Sequence, residues 1–207
     1  LRDAGPAREL VQHGVRGLLV RLGRRELAAL VHVAAEEWHR DGLDTPLLLT
    51  PTEFRRSLDV FPLEYQAIVD HHVLIAGQPP FDGFVVETQH LRRACEVQAK
   101  SQLIHLRQAW IDATGHEQPL AATLARSAAP LRALLVNVAR LGNRAPHGDE
   151  HLALTGARLA GLDVDLIRDV LASDAGPEHA RHLVRRLPEY LAAIEVLWAF
   201  VDAWDEA

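Results

Sequence analysis

The sequence predicts an α+β chain: a small α/β unit over residues 1–80, then an all-α helical bundle over residues 88–207, mostly helical overall. Three observations lead there. In the first third, short apolar runs bounded by glycine or proline alternate with stretches of helical periodicity. From Gln89 onward apolar residues recur at helical spacing, with no β-rich run. Between the two parts lies "AGQPPFDGFVVETQ", whose proline and glycine content marks the expected join.

The α/β unit opens with "PARELVQHG", a short helical candidate. Val15–Leu22 is an apolar run between Gly14 and Gly23 and reads as a strand. "RRELAALVHVAAEEWHRDG" sets Leu27, Leu30, Val31, Ala34, Ala35 and Trp38 at helical spacing and stops at Gly42. "TPLLLT", too short for a core helix, reads as a second strand. Thr50, Pro51 and Glu53 then form a helix start: a cap, a proline where no N–H is needed, and a capping-box acid. "SLDVFPLEY", Ser57–Tyr65, is expected to be a strand with acidic ends, running on toward Gly77. On an extended strand Asp59 and Glu64 would face opposite sides, so they form no dyad. Each is a structural charge at the sheet's edge, or one of them is a metal ligand.

The bundle begins with "LRRACEVQAKSQLIHLRQAWIDATG", which places Leu91, Cys95, Ala99, Leu103, Leu106 and Trp110 on one helical face, closed by Gly115. A second long helix should bend at Pro130, where a backbone donor is missing. Two shorter helices, "EHLALTGARLAG" and "DVDLIRDVLAS", follow. The last helix is interrupted or restarted at Pro188. Its stripe of Ile194, Leu197, Trp198, Val201 and Trp204 suits a core or an oligomer interface.

Composition narrows the function classes. Apolar residues make up 48% of 207, enough for a full core. A net charge of −6 argues against non-specific binding to a phosphate backbone, so nucleic acid is not an expected partner. No apolar run approaches the roughly 18 residues of a membrane span, so no membrane partner is expected. The opening "LRDAGPARELVQHG" lacks the apolar stretch of a secretory signal. The single cysteine, Cys95, excludes an internal disulfide and suits a cytoplasmic setting.

The run "PLLLTPTEFRRSLDVFPLEYQAIVDHHVLIAGQPPF", followed by "HLRRACEVQAKSQLIHLRQAWIDATG", resembles a bacterial family with a nucleotidyltransferase-like domain and a C-terminal helical domain. The resemblance covers Pro46 to Gly115, and the later helices fit more loosely. It implies a nucleotidyltransferase-like sheet for the first unit. It also implies Mg²⁺ held by a Gly-Ser turn, an acidic pair and a third carboxylate, because two cations must neutralise a triphosphate as it is attacked. No such turn and pair occurs upstream of Pro46, and the chain starts at Leu1 without any methionine. The expectation is therefore a transferase-family protein that is degenerate or N-terminally truncated. It would bind a nucleotide, an anionic small molecule or a protein partner, with Mg²⁺ only if active. Asp59 and Glu64 are the catalytic candidates. Arg92, Arg93, Lys100 and Arg107 are the substrate-binding candidates, forming a basic wall on one helix side. A solvated ion-pair ladder is the plainer account of those four.

Other patterns carry less. Arg140 and His147, six residues apart, resemble the arginine–histidine signature of HEPN ribonucleases. That makes an RNA-cleaving helical module, or a non-catalytic interaction module, the alternative function; an interhelical loop is the plainer account. "HGDEH", His147–His151, matches an inverted zinc-protease motif but carries Pro146 and Gly148, which disfavour a helical first histidine. His71 and His72 would point apart on a strand, and His179 with His182 lacks completing ligands. Cys95 lies on an apolar helix face and reads as buried. No dedicated metal site is expected.

Overall fold

The structure, a computed structural model, describes residues 49–73, 81, 83–113, 115–142 and 149–204. The chain divides into two units: Leu1–Val60 with Tyr65–Val85, and Phe61–Glu64 with Val86–Ala207. Every regular element among the described residues is a helix. The expected α+β class, with its nucleotidyltransferase-like sheet, is therefore corrected to an all-helical fold over the described residues. The segment read as a strand from Ser57 is a turn over 57–60 followed by a helix, Pro62–His71. Val15–Leu22 and residues 45–48 lie outside the described residues.

In the first unit, α1 (Pro51–Arg56) starts as its residues dictate. The Thr50 hydroxyl accepts from the Glu53 N–H at 3.2 Å, and the Glu53 carboxylate accepts from the Thr50 N–H at 2.8 Å. Pro62 then opens α2 (Pro62–His71) at the position where its fixed φ helps and its missing N–H costs nothing. Tyr65, Ile68 and Val69 follow at helical spacing and close over Phe54, which is fully buried. Tyr65, Phe81 and Phe84 surround Phe54 with ring centroids at 4.5, 5.0 and 5.3 Å. The helix thus supplies what a strand would have supplied, an apolar side for a small aromatic core.

The second unit is a bundle around two long antiparallel helices, α3 (Thr88–Ala113) and α4 (Glu117–Leu141), reversed at Gly115 with φ +85°. α4 continues as one helix through Pro130. Next come α5 (Asp149–Leu159), α6 (Val164–Ala172), a 3-10 turn at Ser173–Ala175, α7 (Pro177–Ala180), a second 3-10 turn at Arg181–Val184, and α8 (Leu187–Asp202). The corner from α5 to α6 is written locally. Gly161 at φ +70° lets Leu162 N–H reach the Ala157 carbonyl at 2.9 Å, and the Asp163 carboxylate then accepts from the N–H groups of Asp165 and Leu166.

The core is shared by α3, α4, α5, α6 and α8. Leu106, Leu124, Leu131, Leu134, Leu135, Ile167, Leu187 and Ile194 are all wholly enclosed. α5 approaches α4 through small residues, Ala153, Gly156, Ala157 and Ala160. Arg132 on α4 donates to the Leu171 carbonyl at 3.0 Å and to Asp174 at 2.8 Å, placing a cation at the negative end of α6. No helix among the described residues is long and apolar enough to cross a membrane.

Candidate functional site

The sequence-predicted residues fall in several places. Asp59 is exposed in the turn before α2, and Glu64 is exposed in the first turn of α2. Among the described residues no group of three or more His, Cys, Asp or Glu side chains is placed to hold a metal ion. Asp59 and Glu64 belong to no such group among the described residues.

Of the four basic residues expected to form a wall on α3, three are engaged with α8. Arg92 donates to the carbonyls of Val201 and Asp202 at 3.1 and 3.3 Å, satisfying the C-terminal end of α8, and lies 3.5 Å from Glu96. The Lys100 ammonium stands 4.6 Å above the Trp198 ring, and Arg107 pairs with Glu195. Arg93 is exposed. This side of α3 is the seam to α8 rather than an open wall.

Arg140 is half-buried in the last turn of α4 and donates to the Asn137 side-chain oxygen at 3.0 Å. Its expected partner His147 lies outside the described residues. Of "HGDEH", Glu150 and His151 are exposed on α5. His72 sets Nδ1 2.8 Å from the Val69 carbonyl, with its ring edge-on to Phe81 at 4.6 Å. His179 and His182 are exposed. Cys95 is buried, and that burial pushes its thiol up to about 12, so it is an inert core group despite the nearby Arg140 guanidinium.

The site that sequence reasoning missed is a groove between α3 and α4. Its wider part, about 360 Å³, is lined by His105, Gln108, Asp112, Pro119 and Thr123 among others. Its narrower part, about 190 Å³, shares His105 and Thr123 and adds Gln98, Ser101, Gln102, Arg126, Ser127 and Pro130. Beneath it is a buried polar triad. The Gln102 amide donates to the Tyr190 hydroxyl at 2.6 Å and to the Ser127 carbonyl at 3.3 Å. The Ser127 hydroxyl lies 3.1 Å from the Tyr190 oxygen and donates to the Leu124 carbonyl at 2.7 Å. Enclosure pushes the Tyr190 phenol up to about 12, against the opposing pull of Ser127 and Gln102, so it stays protonated and neutral.

Gln102 is 94% enclosed, with 6% of its surface exposed, yet its Oε1 has no hydrogen-bond partner among the described residues. A buried acceptor left unmade costs about 1–3 kcal/mol. Pro130 adds to the polarity of the same place, because it offers no N–H to the Arg126 carbonyl one turn earlier. The charges are Arg126 at the narrow end and Asp112 at the wide end, with His105 between them. The Arg126 guanidinium is held by the Thr123 hydroxyl at 3.1 Å. Chemically, the narrow end offers a cation, hydroxyls and amides; it can hold an anionic or strongly hydrogen-bonding small molecule.

No family model, no curated protein and no solved structure matches the chain.

Proposed function

We propose that the helical unit is a binding module that takes a small anionic molecule into the groove between α3 and α4. One observation carries this reading: the exposed Arg126 guanidinium lines the narrow part of the groove together with His105, Ser101, Ser127 and the Gln102 amide. A carboxylate or phosphate meets Arg126, with the serine hydroxyls of the lining as further donors. This keeps the binding half of what the family resemblance implies, a nucleotide or other anion, and no transfer step. Magnesium enters only as the counter-ion a nucleotide brings with it. The reading suits a cytoplasmic protein with one buried thiol.

Calorimetric titration with ATP, AMP and sulfate, with and without magnesium, tests it. Heat of binding should appear with at least one anion and weaken about ten-fold or more in Arg126→Gln, the effect of losing a charge-assisted hydrogen bond. Silence with all three at millimolar concentration would discard the groove as a ligand site.

A second reading, a protein-interaction module, is favoured by one feature. Val97, Ile104 and Ile111 recur every seven residues along α3 with 64%, 48% and 74% of their surface exposed. Seven residues return nearly to the same helix face, so these are three apolar side chains exposed along one side of α3, with polar residues between them.

A further inference from the structure

We infer that anion binding in the α3–α4 groove is coupled to protonation of His105, so that the site fills as pH falls. The inference rests on the groove being the ligand site and adds how that site is regulated. Among the described residues, His105 is the one ionisable side chain bordering both parts of the groove. It sits one turn after Ser101 on α3, and the Ser101 hydroxyl lies 3.4 Å from its Nδ1. A serine hydroxyl serves either protonation state, donating to a bare ring nitrogen and accepting from a protonated one. Nδ1 therefore has a partner in both states.

The charges around it decide the sign. Among the described residues, the charged lining residue from α4 is Arg126, and from α3 itself Asp112, at the wide end. From α8, Tyr190 lies beneath the floor and is neutral, its phenol being pushed up to about 12. With His105 neutral, the groove's lining carries one positive and one negative charge. Protonation adds a second positive charge on the side shared with Arg126, and a dianion between the two gains an attraction it lacked. Histidine is the side chain that changes charge between pH 5 and 8.

Sulfate is the suitable probe, because its own charge is constant over that interval, unlike that of phosphate. Its affinity should be measured by calorimetry at pH 5.5 and pH 8, at constant ionic strength, on the wild-type chain, His105→Gln and Arg126→Gln. We expect binding about ten-fold tighter at pH 5.5 in the wild type. His105→Gln should bind equally at both pH values, at the weaker level. Arg126→Gln should bind less tightly throughout and keep the pH dependence. Wild-type binding that is the same at both pH values would overturn the coupling while leaving the groove reading intact. A pH dependence that survives in His105→Gln would also overturn it. No sulfate binding to the wild type at either pH would remove the groove reading and the coupling together. His105 is exposed, so its replacement leaves the fold in place, which the far-ultraviolet spectrum checks.

Discussion

The Cβ that Gly156 lacks would stand 2.0 Å from the carbonyl oxygen of Leu135. This close approach joins α5 to α4, and the obstacle is backbone, which cannot rotate aside. Gly156→Ala should push the helices apart and lower stability by about 3 kcal/mol or prevent folding, at or beyond the upper end of overpacking costs. Gly142→Ala is the control. Its added methyl would meet the tip of the Leu159 side chain at 2.8 Å, and that tip can move. It should cost about 1 kcal/mol or less. Urea denaturation of the two variants compares them directly.

Two enclosed groups make the fold sensitive to alkali. Cys95 and Tyr190 are neutral when protonated, and burial raises both from ordinary values of 9.0 and 10.0 to about 12. The stability they contribute is complete below their unfolded values. It is lost as pH rises from about 9 toward 12, because the unfolded chain releases protons that the folded chain retains. Unfolding midpoints measured from pH 8 to 11 should fall steadily in the wild type, by a few kcal/mol in all. Cys95→Ala should flatten the slope between pH 9 and 10, where the unfolded thiol titrates first. Tyr190→Phe should leave that segment and flatten the part above pH 10.

Arg92 and Arg93 are adjacent in sequence but should behave differently. Arg92→Ala removes the donor to the Val201 and Asp202 carbonyls at the end of α8 and should cost about 1 kcal/mol. Arg93→Ala, at an exposed position, should change stability by less than about 0.5 kcal/mol. If the row were a ligand-binding wall, Arg93→Ala would weaken anion binding in calorimetry; with the groove as the site, it leaves binding unchanged.

What could be read from the sequence was local. Thr50, Pro51 and Glu53 lie within four residues of one another, and their hydrogen bonds need nothing from the rest of the chain. The apolar face of α3 follows from spacing alone, and Leu91, Cys95, Ala99, Leu103 and Leu106 are buried as that spacing requires, whereas Trp110, expected on the same face, is 47% exposed. Ser57–Tyr65 reads as a strand because a short apolar run has no clear period and the family resemblance implies a sheet there, yet from Pro62 it is helical. The helical signal was present in Pro62 at a first position and in Tyr65, Ile68 and Val69 beyond it. The same row of basic residues could be seen on one side of α3, but not that α8 would cover that side. The groove was illegible for the same reason. Gln102, Ser127 and Tyr190 meet across 25, 63 and 88 residues of chain, and only the packing of three helices brings them together. Gly156 did offer a signal, since a glycine inside a helical pattern often marks a close crossing.

The outward row on α3 yields a prediction that separates folding from interaction. Val97, Ile104 and Ile111 each keep about half or more of their surface in solvent, so they contribute little to the core. Ile104→Gln and Ile111→Gln exchange an exposed apolar side chain for a polar one of good helix propensity, and the urea midpoint should move by less than about 0.5 kcal/mol in either direction. Leu103→Gln, on the buried side of the same helix turn, should instead cost several kcal/mol, because it places an amide among apolar neighbours. If Ile104→Gln destabilised the chain as much as Leu103→Gln, the row would be part of the folding core and would no longer favour an interaction surface.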